Sequence, residues 1–544
     1  MIFLLILVAI APLVSAAGGI AQFGVKGWSP AKSQGWWCGE DCLRANAAKL
    51  VSDNMTVVVD PFADTRNALF PYFVVEGFYR ADDNAAGDPM GVAIDDYGRF
   101  APDLTRFPSS APKGGKPGDG LGPVCAGLPH LLKCGMAIPL GIPRLAVQRK
   151  TPVKGAATGI TADQIADTST TLGPLGEVYA LNMKNPHANA YIQSVVDQLN
   201  AWEVKYLLLQ DAYAAGPHAA DAIVAFSKAI NATTHAPVPA VGGDVVLAVA
   251  GDPAQLTDAL FDQIQYAVNT YRVTNDMWDT WADVVGAMDV VGEWMGRHAA
   301  TGCIDAQSPV GVAGCNHWPD LGELPIGRIG AKANESSSYP PWHKGSCTAA
   351  QLGCGKAGGA PPACCPRQGR LKFEESRTLY TIAMMSRSAA ILGGSLLGQS
   401  NSMHVMSLFT NAYYADIFDP WGAGNGGAMN TTVLNKTSGS EIWVSASGAF
   451  NPMAFDAQWF VAVYNKQETT LNLNVSLDAL PLDLAPYQPA PTPGKYVYMV
   501  RDVWLNAELG GYAGYVQIGT DGPDKGAPML DAHGVLLFMV SRIR

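Results

Sequence analysis

Carboxylates recur where short apolar runs of this chain end or where a cation stands nearby. Four of them fall in such positions: Asp60, Asp211, Asp276 and Asp320. Asp276 comes four residues after Arg272, within the run Arg272-Val273-Thr274-Asn275-Asp276. Carboxyl groups from separate strand ends can work as a pair, one as a nucleophile and one as an acid and base. The chain therefore carries residue types suited to acid/base or covalent catalysis.

The elements that must position these residues alternate between strand and helix patterns. Short apolar runs such as Thr56–Asp60 and Val245–Val249 are separated by stretches of helical periodicity such as Asp221–Ile230. Continuous Val/Leu/Ile runs are typical of parallel strands buried on both faces. The alternation predicts an α/β fold, a (β/α)8 TIM barrel over residues 17–420. A doubly wound sheet would show the same alternation.

The remainder of the chain divides into three segments of different composition. Residues 421–440 are rich in Gly, Asn, Ser and Thr and predict a linker. Residues 441–544 change to period two with Pro/Gly turns, which predicts a C-terminal antiparallel β-sandwich. Within the barrel, residues 329–370 are rich in Gly, Pro, Ser and Cys. This insertion follows the Asp320 strand end, so we expect it over the face that carries the chemistry.

Composition narrows the classes of partner. The net charge of -11 disfavours nucleic acid and anionic membranes, since neither would be attracted to the chain. A neutral, hydroxyl-rich ligand such as a carbohydrate is compatible with it. No phosphate-binding glycine loop, HExxH or GxSxG motif is present, and no cofactor or metal ion is expected. The oligomeric state is left open.

The N-terminus and the cysteines predict export. Residues 1–16 combine an apolar run with a Val14-Ser15-Ala16 cleavage pattern, which predicts a signal peptide, and no later run reaches the length of a membrane span. We expect the protein to be secreted or to reside in the lumen of the secretory pathway. The disulfide candidates are Cys38, Cys42, Cys125, Cys134, Cys303, Cys315, Cys347, Cys354, Cys364 and Cys365. Sequons for N-glycosylation stand at Asn54, Asn231, Asn334, Asn430, Asn435 and Asn474.

Several short segments, in the correct order, resemble glycoside hydrolase family 27, the α-galactosidase family. They include Val58-Val59-Asp60, Asp96–Phe100, Gly135–Ile138, Trp202–Asp211, Tyr271–Asp279, Asn316–Asp320, Glu375–Leu379, Leu408–Asn411, Val500–Trp504 and His533–Leu537. The resemblance covers most of the mature chain. It implies the barrel-plus-sandwich architecture and hydrolysis of terminal α-linked sugars in carbohydrates or glycoconjugates.

The resemblance also implies the family's reaction, which is retaining glycoside hydrolysis. That mechanism needs two carboxyl groups roughly 5–5.5 Å apart. By resemblance, Asp276 is the acid/base, and substrate-binding residues are Trp28, Asp60, Arg272 and Asp320. Asp279 is expected to cap the following helix. Trp28 would stack on a sugar face, although a core tryptophan is an equal alternative.

The nucleophile position departs from the family pattern. The strand motif W-G-V-D-F-x-K-x-D-D is matched here by Trp202–Asp211, in which Leu208 and Gln210 take the places of the lysine and the nucleophile. A primary amide cannot form the usual glycosyl ester. Asp211 is one residue away and would face outward unless a bulge rotates the strand. The second aspartate of the family's D-x-D-M-L motif has also become Gly322.

These departures leave three hypotheses open. The protein is a secreted α-galactosidase-like hydrolase in which Asp211, Glu323 or a carboxylate of the Cys-rich insertion replaces the lost nucleophile. Alternatively, it is a catalytically silent carbohydrate-binding or structural homologue. A third hypothesis is a hydrolase in which water attacks directly, with inversion.

Overall fold

The described structure covers most of the predicted barrel and C-terminal domain. The computed structural model describes residues 25–33, 38–51, 56–60, 65–68, 70–80, 91–112, 119–173, 176–233, 245–297, 317–330, 367–396, 408, 431–446, 458–480, 497–519 and 528–543. The predicted signal peptide and the six cysteines from Cys303 onward lie outside the described residues, as do the sequons at Asn54, Asn334 and Asn430.

Short strands occupy both halves of the chain. They are β1 (Lys26–Trp28), β2 (Thr56–Asp60), β3 (Thr65–Ala68), β4 (Tyr72–Glu76), β5 (Lys133–Pro139), β6 (Ile142–Pro143), β7 (Ala166–Leu172), β8 (Val178–Leu181), β9 (Tyr206–Gln210), β10 (Val246–Val249), β11 (Thr270–Arg272), β12 (Trp318–Asp320), β13 (Glu323–Leu324), β14 (Arg328–Ile329), β15 (Arg367–Gln368), β16 (Ala390–Leu392), β17 (Thr432–Lys436), β18 (Ser440–Ala446), β19 (Gln458–Asn465), β20 (Leu473–Ser476), β21 (Val497–Asp502), β22 (Ala507–Ala513), β23 (Tyr515–Ile518) and β24 (Val535–Ile543).

Helices separate the strands of the first half. The α-helices of the described part are α1 (Glu40–Leu50), α2 (Gly122–Ala126), α3 (Arg144–Arg149), α4 (Ala162–Ile165), α5 (His187–Ala201), α6 (Ala219–Thr233), α7 (Asp258–Ile264), α8 (Trp281–Arg297) and α9 (Phe373–Ser386). None of the described helices is long and apolar enough to cross a membrane.

A nine-stranded sheet forms the centre of the first half. Its order is β12-β11-β10-β9-β5-β4-β1-β16-β13, and every neighbouring pair is parallel. Only Leu321 and Gly322 separate β12 from β13, yet β12 pairs with β11 and β13 pairs with β16. The segment 318–324 thus borders both ends of the order, and the sheet curls back on itself. This curled parallel sheet with intervening helices fits a TIM-like barrel.

The strand residues alternate between two apolar environments. Val74, Ala137, Leu208, Ala248 and Ile391 share one cluster inside the curl of the sheet. Their neighbours in the chain pack outward into a larger core shared with the helices. Successive side chains of a strand point to opposite faces, so a continuous apolar run can fill both environments.

Two antiparallel sheets form the C-terminal part, as the period-two pattern predicted. The larger has the order β17-β18-β19-β24-β21-β22, and the smaller pairs β20 with β23. Residues from both sheets share one apolar core, including Val444, Val461, Val475 and Val516. The first strand, β17, lies inside the predicted linker 421–440, so the sheet begins earlier than composition indicated; residues 421–430 lie outside the described residues.

The two ends of the predicted insertion are held together. β14 and β15 form an antiparallel pair, with Arg328 opposite Gln368 and Ile329 opposite Arg367. Residues 331–366 connect these strands and lie outside the described residues. The chain therefore leaves and re-enters the described fold through one short ribbon.

Two disulfides close local loops. Cys38 is bonded to Cys42, and Cys125 is bonded to Cys134. All four cysteines are among the predicted disulfide candidates. The first lies at the start of α1, and the second ties α2 to β5, which adjoins β4 in the sheet.

Candidate active site

A cavity opens at the carboxyl ends of the parallel strands. Its polar wall consists of Ser29, Glu76, Arg272, Asp320 and Glu323. Ser29 follows β1, Glu76 ends β4, Arg272 ends β11, and Asp320 and Glu323 lie on β12 and β13. The floor is apolar and includes Val74, Leu208 and Ile391. In TIM-type barrels this face carries the chemistry, because all the strand ends converge there.

Arg272 organises the carboxylates of this wall. It is buried, and its Nη2 donates to Asp276 Oδ1 at 2.6 Å. Its Nη1 lies 3.8 Å from Glu323 Oε2, and its Nε donates to the carbonyl of Thr274 at 3.2 Å. The spacing of four residues between Arg272 and Asp276 lets the chain fold back after β11, so that one guanidinium contacts carboxylates from two strand ends.

A second cation holds Asp276. Lys32, which is 4% exposed, places Nζ 3.3 Å from Asp276 Oδ1 and 5.0 Å from the centre of the Trp278 ring. Removal from water would by itself raise the pKa of Asp276, but Lys32 and Arg272 outweigh it and hold this pKa well below its usual range. The Asp276 side chain remains 46% exposed, so this carboxylate is ionised and accessible to solvent.

Glu76 is the contrasting carboxyl group. It is buried, and Ser29 Oγ donates to its Oε1 at 2.7 Å. Burial is the largest influence and the charge of Glu323 adds to it, so the pKa of Glu76 rises to about 8 although Ser29 and Lys32 oppose the rise. At neutral pH Glu76 is therefore mostly protonated.

Asp320 and Glu323 occupy the bend between β12 and β13. The backbone N–H of Gly322 donates to Asp320 Oδ1 at 2.7 Å. Burial, together with the charge of Glu323, raises the pKa of Asp320 to about 6, against the opposing effect of Arg272. Both side chains are almost fully buried. Two carboxyl groups thus face the cavity from one bent strand.

Gly322 makes room for the arginine. Its φ of +78° lies in the left-handed region that favours glycine. A Cβ at this position would lie 2.3 Å from Arg272 Nη2 and 2.5 Å from its Cζ. The glycine at position 322 and the position of Arg272 therefore depend on each other, because a side chain here would collide with the guanidinium.

The predicted nucleophile region contributes no carboxylate to the cavity wall described here. Leu208 lies in the apolar floor, and Gln210 ends β9 half-buried. Asp211 has a φ of +53°, and its Oδ2 accepts a hydrogen bond from the N–H of Gly173 at 2.9 Å. Burial, followed by the charge of Glu177, raises the pKa of Asp211. Asp211 is thus held by a neighbouring loop.

The strand that ends at Asp60 is not part of the nine-stranded sheet. The run Thr56–Asp60 was expected to be a strand of the barrel, but among the described strands β2 pairs only with β3, in a separate antiparallel hairpin, and β4 is the sheet neighbour of β1. This strand assignment is wrong because two apolar runs ending in an acid occur in succession, and the second one, ending at Glu76, enters the sheet. The Asp60 side chain lies outside the described residues, so its contact with a substrate stays a prediction.

Trp28 belongs to the core. It is 0% exposed, its Nε1 donates to the carbonyl of Gly394 at 2.7 Å, and its ring stacks on Phe73 at 4.7 Å. Because the ring is completely buried, it has no free face on which a sugar could stack. Trp28 is therefore a core tryptophan, the alternative that the sequence left open.

Asp279 does not cap α8. Its Oδ2 accepts a hydrogen bond from the N–H of Arg370 at 2.7 Å, which fixes the chain after the insertion. The start of α8 is held instead by Thr280 and Asp283, whose Oγ1 and Oδ2 are 2.7 Å apart.

The sequence reasoning missed Lys32, Ser29 and Glu76 as members of the site. Glu76 carried a signal, since it directly follows the apolar run Tyr72–Val75. Lys32 and Ser29 lie in an irregular segment after β1 without such a pattern. Among the residues that the structure describes, no cluster of His, Cys, Asp or Glu side chains is arranged to hold a metal ion.

Solved glycosidases share this architecture. The GH27 β-L-arabinopyranosidase of Geobacillus stearothermophilus superposes with a TM-score of 0.69 at 22% identity, over 96% of this chain and 96% of that chain. α-Galactosidase I of Mortierella vinacea superposes with a TM-score of 0.57 at 15% identity, over 96% and 98%. The α-galactosidase of Saccharomyces cerevisiae gives 0.53 at 12% identity, over 96% and 99%.

The chain has the fold of these glycosidases. The likeness extends over both halves, so the barrel and the C-terminal sheets correspond together. No protein-family model matches the chain, and no curated protein matches it by sequence. The glycosidase fold therefore rests on the three-dimensional likeness.

Proposed function

We propose that this protein is a member of glycoside hydrolase family 27, with a complete (β/α)8 barrel, that hydrolyses terminal α-linked sugars. The observation that carries the proposal is the group of carboxyl groups around one buried arginine at the strand ends. Asp276, Asp320 and Glu323 interact with Arg272, and Glu76 lines the same cavity. Glycoside hydrolysis needs two such groups and no cofactor.

The spacing around Arg272 supports a two-carboxylate reaction. Asp276 and Glu323 contact the two terminal nitrogens of one guanidinium, at 2.6 Å and 3.8 Å. Carboxylates that share a guanidinium in this way lie close enough for the separations of roughly 5–9.5 Å that retaining and inverting glycosidases use. The loss of a carboxylate at position 210 therefore leaves other pairs available in the site.

The names of the structural neighbours suggest the substrate class. They are a β-L-arabinopyranosidase and α-galactosidases. β-L-Arabinopyranose and α-D-galactopyranose share the configuration of the ring carbons and differ in the exocyclic carbon. We infer that the cavity accepts a terminal pyranose of this configuration, whose hydroxyl groups would bind the buried carboxyl groups of Asp320 and Glu323.

A second function is favoured by the nucleophile region. Leu208 packs in the apolar floor and Gln210 ends β9, where the family pattern has a lysine and a carboxylate. A protein with this change alone would bind the sugar without cleaving it. The two functions differ in whether the carboxyl groups around Arg272 complete the reaction.

Export through the secretory pathway is part of the proposal. The two local disulfides suit an oxidising compartment. Intact-mass measurement of the native protein, before and after reduction, should show disulfides, loss of about 16 N-terminal residues and attached N-glycans. A native protein with every cysteine reduced would contradict this compartment.

The function is tested by turnover and binding together. The wild-type chain should hydrolyse 2,4-dinitrophenyl α-galactoside, and Asp320→Asn should lower kcat/KM by about 100-fold or more, because a buried group facing the sugar is lost. Asp262→Asn, on the exposed side of α7, is the matched control and should change little. Calorimetric binding of galactose without turnover would favour the second function. Absence of both would contradict both functions.

A further inference from the structure

A buried arginine at the amino-terminal end of the barrel has no counter-ion among the described residues. Arg387 is 3% exposed, and in the described part of the chain neither its Nε nor its Nη2 has a hydrogen-bond partner. We propose that Arg387, together with the hydroxyl group of Thr270, binds one small monovalent anion of the size of chloride. This site is separate from the candidate active site, and the inference does not rest on the proposed hydrolytic function.

The strand pattern places the site at the end of the barrel opposite the cavity. Arg272 and Asp320 line that cavity at the carboxyl ends of β11 and β12. Thr270 and Trp318 precede them by two residues, so their side chains point to the same interior face, nearer the amino ends of the strands. Thr270 and Trp318 are also direct neighbours in the register of β11 and β12.

The turn between α9 and β16 brings Arg387 to the same place. Arg387 follows the last residue of α9 with a φ of +54°. The next residue, Ser388, accepts at Oγ a hydrogen bond of 2.8 Å from the N–H of Leu321, which fixes the turn against the end of β12. Cζ of Arg387 lies 5.4 Å from the centre of the Trp318 ring. Arg387 therefore lies beside the tryptophan that Thr270 adjoins in the sheet.

The contact with Trp318 does not balance the charge of Arg387. An aromatic ring attracts a cation only weakly compared with the cost of removing a guanidinium from water. Burial lowers the pKa of Arg387 to about 9, and no carboxylate opposes the change. Burial also lowers the pKa of Arg272, but the charges of its three carboxylate neighbours outweigh that effect and raise the pKa above its usual range. Arg387 lacks such neighbours among the described residues, so an anion would stabilise it.

Thr270 supplies a second unused donor. Its side chain is completely buried, and Oγ1 has no hydrogen-bond partner in the part of the chain that the structure describes. Buried polar groups are nearly always hydrogen-bonded, to protein, to water or to an ion. A guanidinium and a hydroxyl group can both donate to one anion. The two unsatisfied groups therefore point to a ligand that accepts hydrogen bonds and carries negative charge.

The charge and the enclosure of the site indicate the class of ligand. One negative charge neutralises one guanidinium, whereas a divalent anion such as sulfate would leave a negative charge unbalanced. The cost of transferring an ion out of water rises with the square of its charge, so a buried site favours a monovalent ion. The apolar residues at this end of the barrel interior include Tyr206 and Val246, which begin β9 and β10. A compact halide fits these conditions.

The anion dependence of stability tests the site. For the full-length wild-type chain at constant ionic strength, replacing sodium gluconate stepwise by sodium chloride should raise Tm by about 2–5 °C and then reach a plateau. Arg387→Met keeps a long side chain, removes the charge and should show no such rise. Arg44→Met is the matched control, because the Arg44 side chain is 46% exposed on α1, and its Tm should rise as that of wild type does.

Two further comparisons separate an anion site from a general salt effect. In gluconate alone, Arg387→Met should have a higher Tm than wild type, because it buries no unpaired charge. That difference should shrink as chloride is added. Thr270→Val keeps the shape of the side chain and removes one donor, so the chloride concentration at half of the rise should increase by about 10-fold. This variant tests the site even if Arg387→Met fails to fold.

Bromide locates the ion directly. Crystals of the wild-type protein grown with sodium bromide should give an anomalous scattering peak within about 3.5 Å of Arg387 Nε or Nη2 and of Thr270 Oγ1. Crystals of Arg387→Met grown in the same way should lack this peak. Wild-type crystals without bromide at this position would overturn the proposal.

The Tm measurements can overturn it as well. Equal responses of wild type and Arg387→Met to chloride would show that the ion acts elsewhere. A loss of Tm in Arg387→Met that is the same in gluconate and in chloride would show that a carboxylate of the chain already pairs with Arg387. A larger wild-type response to sulfate than to chloride, absent in Arg387→Met, would contradict the choice of a monovalent ion.

Discussion

At the scale of residues, the buried carboxyl of Glu76 makes stability depend on pH. Its pKa is about 8 in the folded chain, raised by burial from the ordinary 4.5. The folded state therefore holds a proton that the unfolded state has released between these pH values. The contribution of Glu76 to stability is fully present below pH 4.5 and is lost as the pH rises through about 8.

Glu76→Gln should remove this dependence. Glutamine keeps an oxygen that can accept the hydrogen bond of Ser29 and has no proton to lose. Between pH 5 and 8 the free energy of unfolding of wild type should decline relative to that of Glu76→Gln, by at most about 1.4 kcal/mol per pH unit. Urea unfolding at several pH values measures this difference. Parallel curves for the two proteins would show that Glu76 is charged throughout.

Part of the candidate active site could be predicted from the sequence. Arg272, Asp276 and Asp320 were found because their motif ties residue type to spacing. The structure places Arg272 and Asp320 in the cavity wall and binds Asp276 to Arg272. Glu76 was missed although it follows an apolar run as Asp60 does, because such a run does not reveal its partner strand. Lys32 could not be found, because its contact with Asp276 joins residues more than 240 positions apart through the fold.

At the scale of elements, the bend between β12 and β13 controls the seat of Arg272. Gly322 forms this bend with a φ of +78°, and a Cβ there would meet the guanidinium at 2.3 Å. Gly155 has a similar φ of +82°, but a Cβ there would meet nothing within 4 Å. The two glycines therefore share a left-handed backbone conformation, and only Gly322 lies against Arg272.

Gly322→Ala and Gly155→Ala should separate these two effects. Both should lose about 1–3 kcal/mol of unfolding free energy, since each places an alanine in the left-handed region. Only Gly322→Ala should also displace Arg272 and reduce sugar binding or turnover, by about 10-fold or more. Chemical denaturation and galactose binding measure the two quantities. Equal binding by both variants would contradict the packing of Arg272 against this bend.

The type of each main element was more predictable than its boundaries. Continuous apolar runs indicated parallel strands because such strands bury both faces, and the curled sheet agrees. The bend that divides β12 from β13 could not be predicted, because Leu321 and Gly322 are too few to show a periodicity. β17 was assigned to a linker because the surrounding Gly, Asn and Thr residues conceal the alternation of a half-exposed strand.

At the scale of the whole molecule, the larger C-terminal sheet has two buried faces. Trp443, Phe460 and Ala462 belong to the core that includes the barrel helices, whereas Val444 and Val461 face the smaller sheet. Alternate residues of the same strands thus join two cores. The barrel and the C-terminal part share apolar packing, so we expect them to unfold together.

A partly buried charge network crosses this junction. Glu441 on β18 is 0% exposed and lies 2.8 Å from Lys466 Nζ and 3.4 Å from Lys436 Nζ. Both lysines also contact Asp289 of α8, at 2.9 Å and 2.8 Å. Lys466 is 8% exposed and Lys436 is 47% exposed, so the two cations stand in different dielectric surroundings while sharing the same partners.

Lys466→Met and Lys436→Met should therefore differ in their effect on stability. Removing the buried Lys466 leaves Glu441 with only a more distant, exposed cation and the Nε1–H of Trp443, and should cost about 2–4 kcal/mol. Removing the exposed Lys436 should cost less than about 1 kcal/mol, since water already screens that pair.

The free energy of unfolding in urea, at low and at moderate salt, measures the cost of both substitutions. Added salt should reduce the cost of Lys436→Met and leave that of Lys466→Met nearly unchanged, because a buried pair is screened little. Equal costs for the two substitutions would show that Glu441 does not depend on its buried partner, and that the junction is held by apolar packing alone.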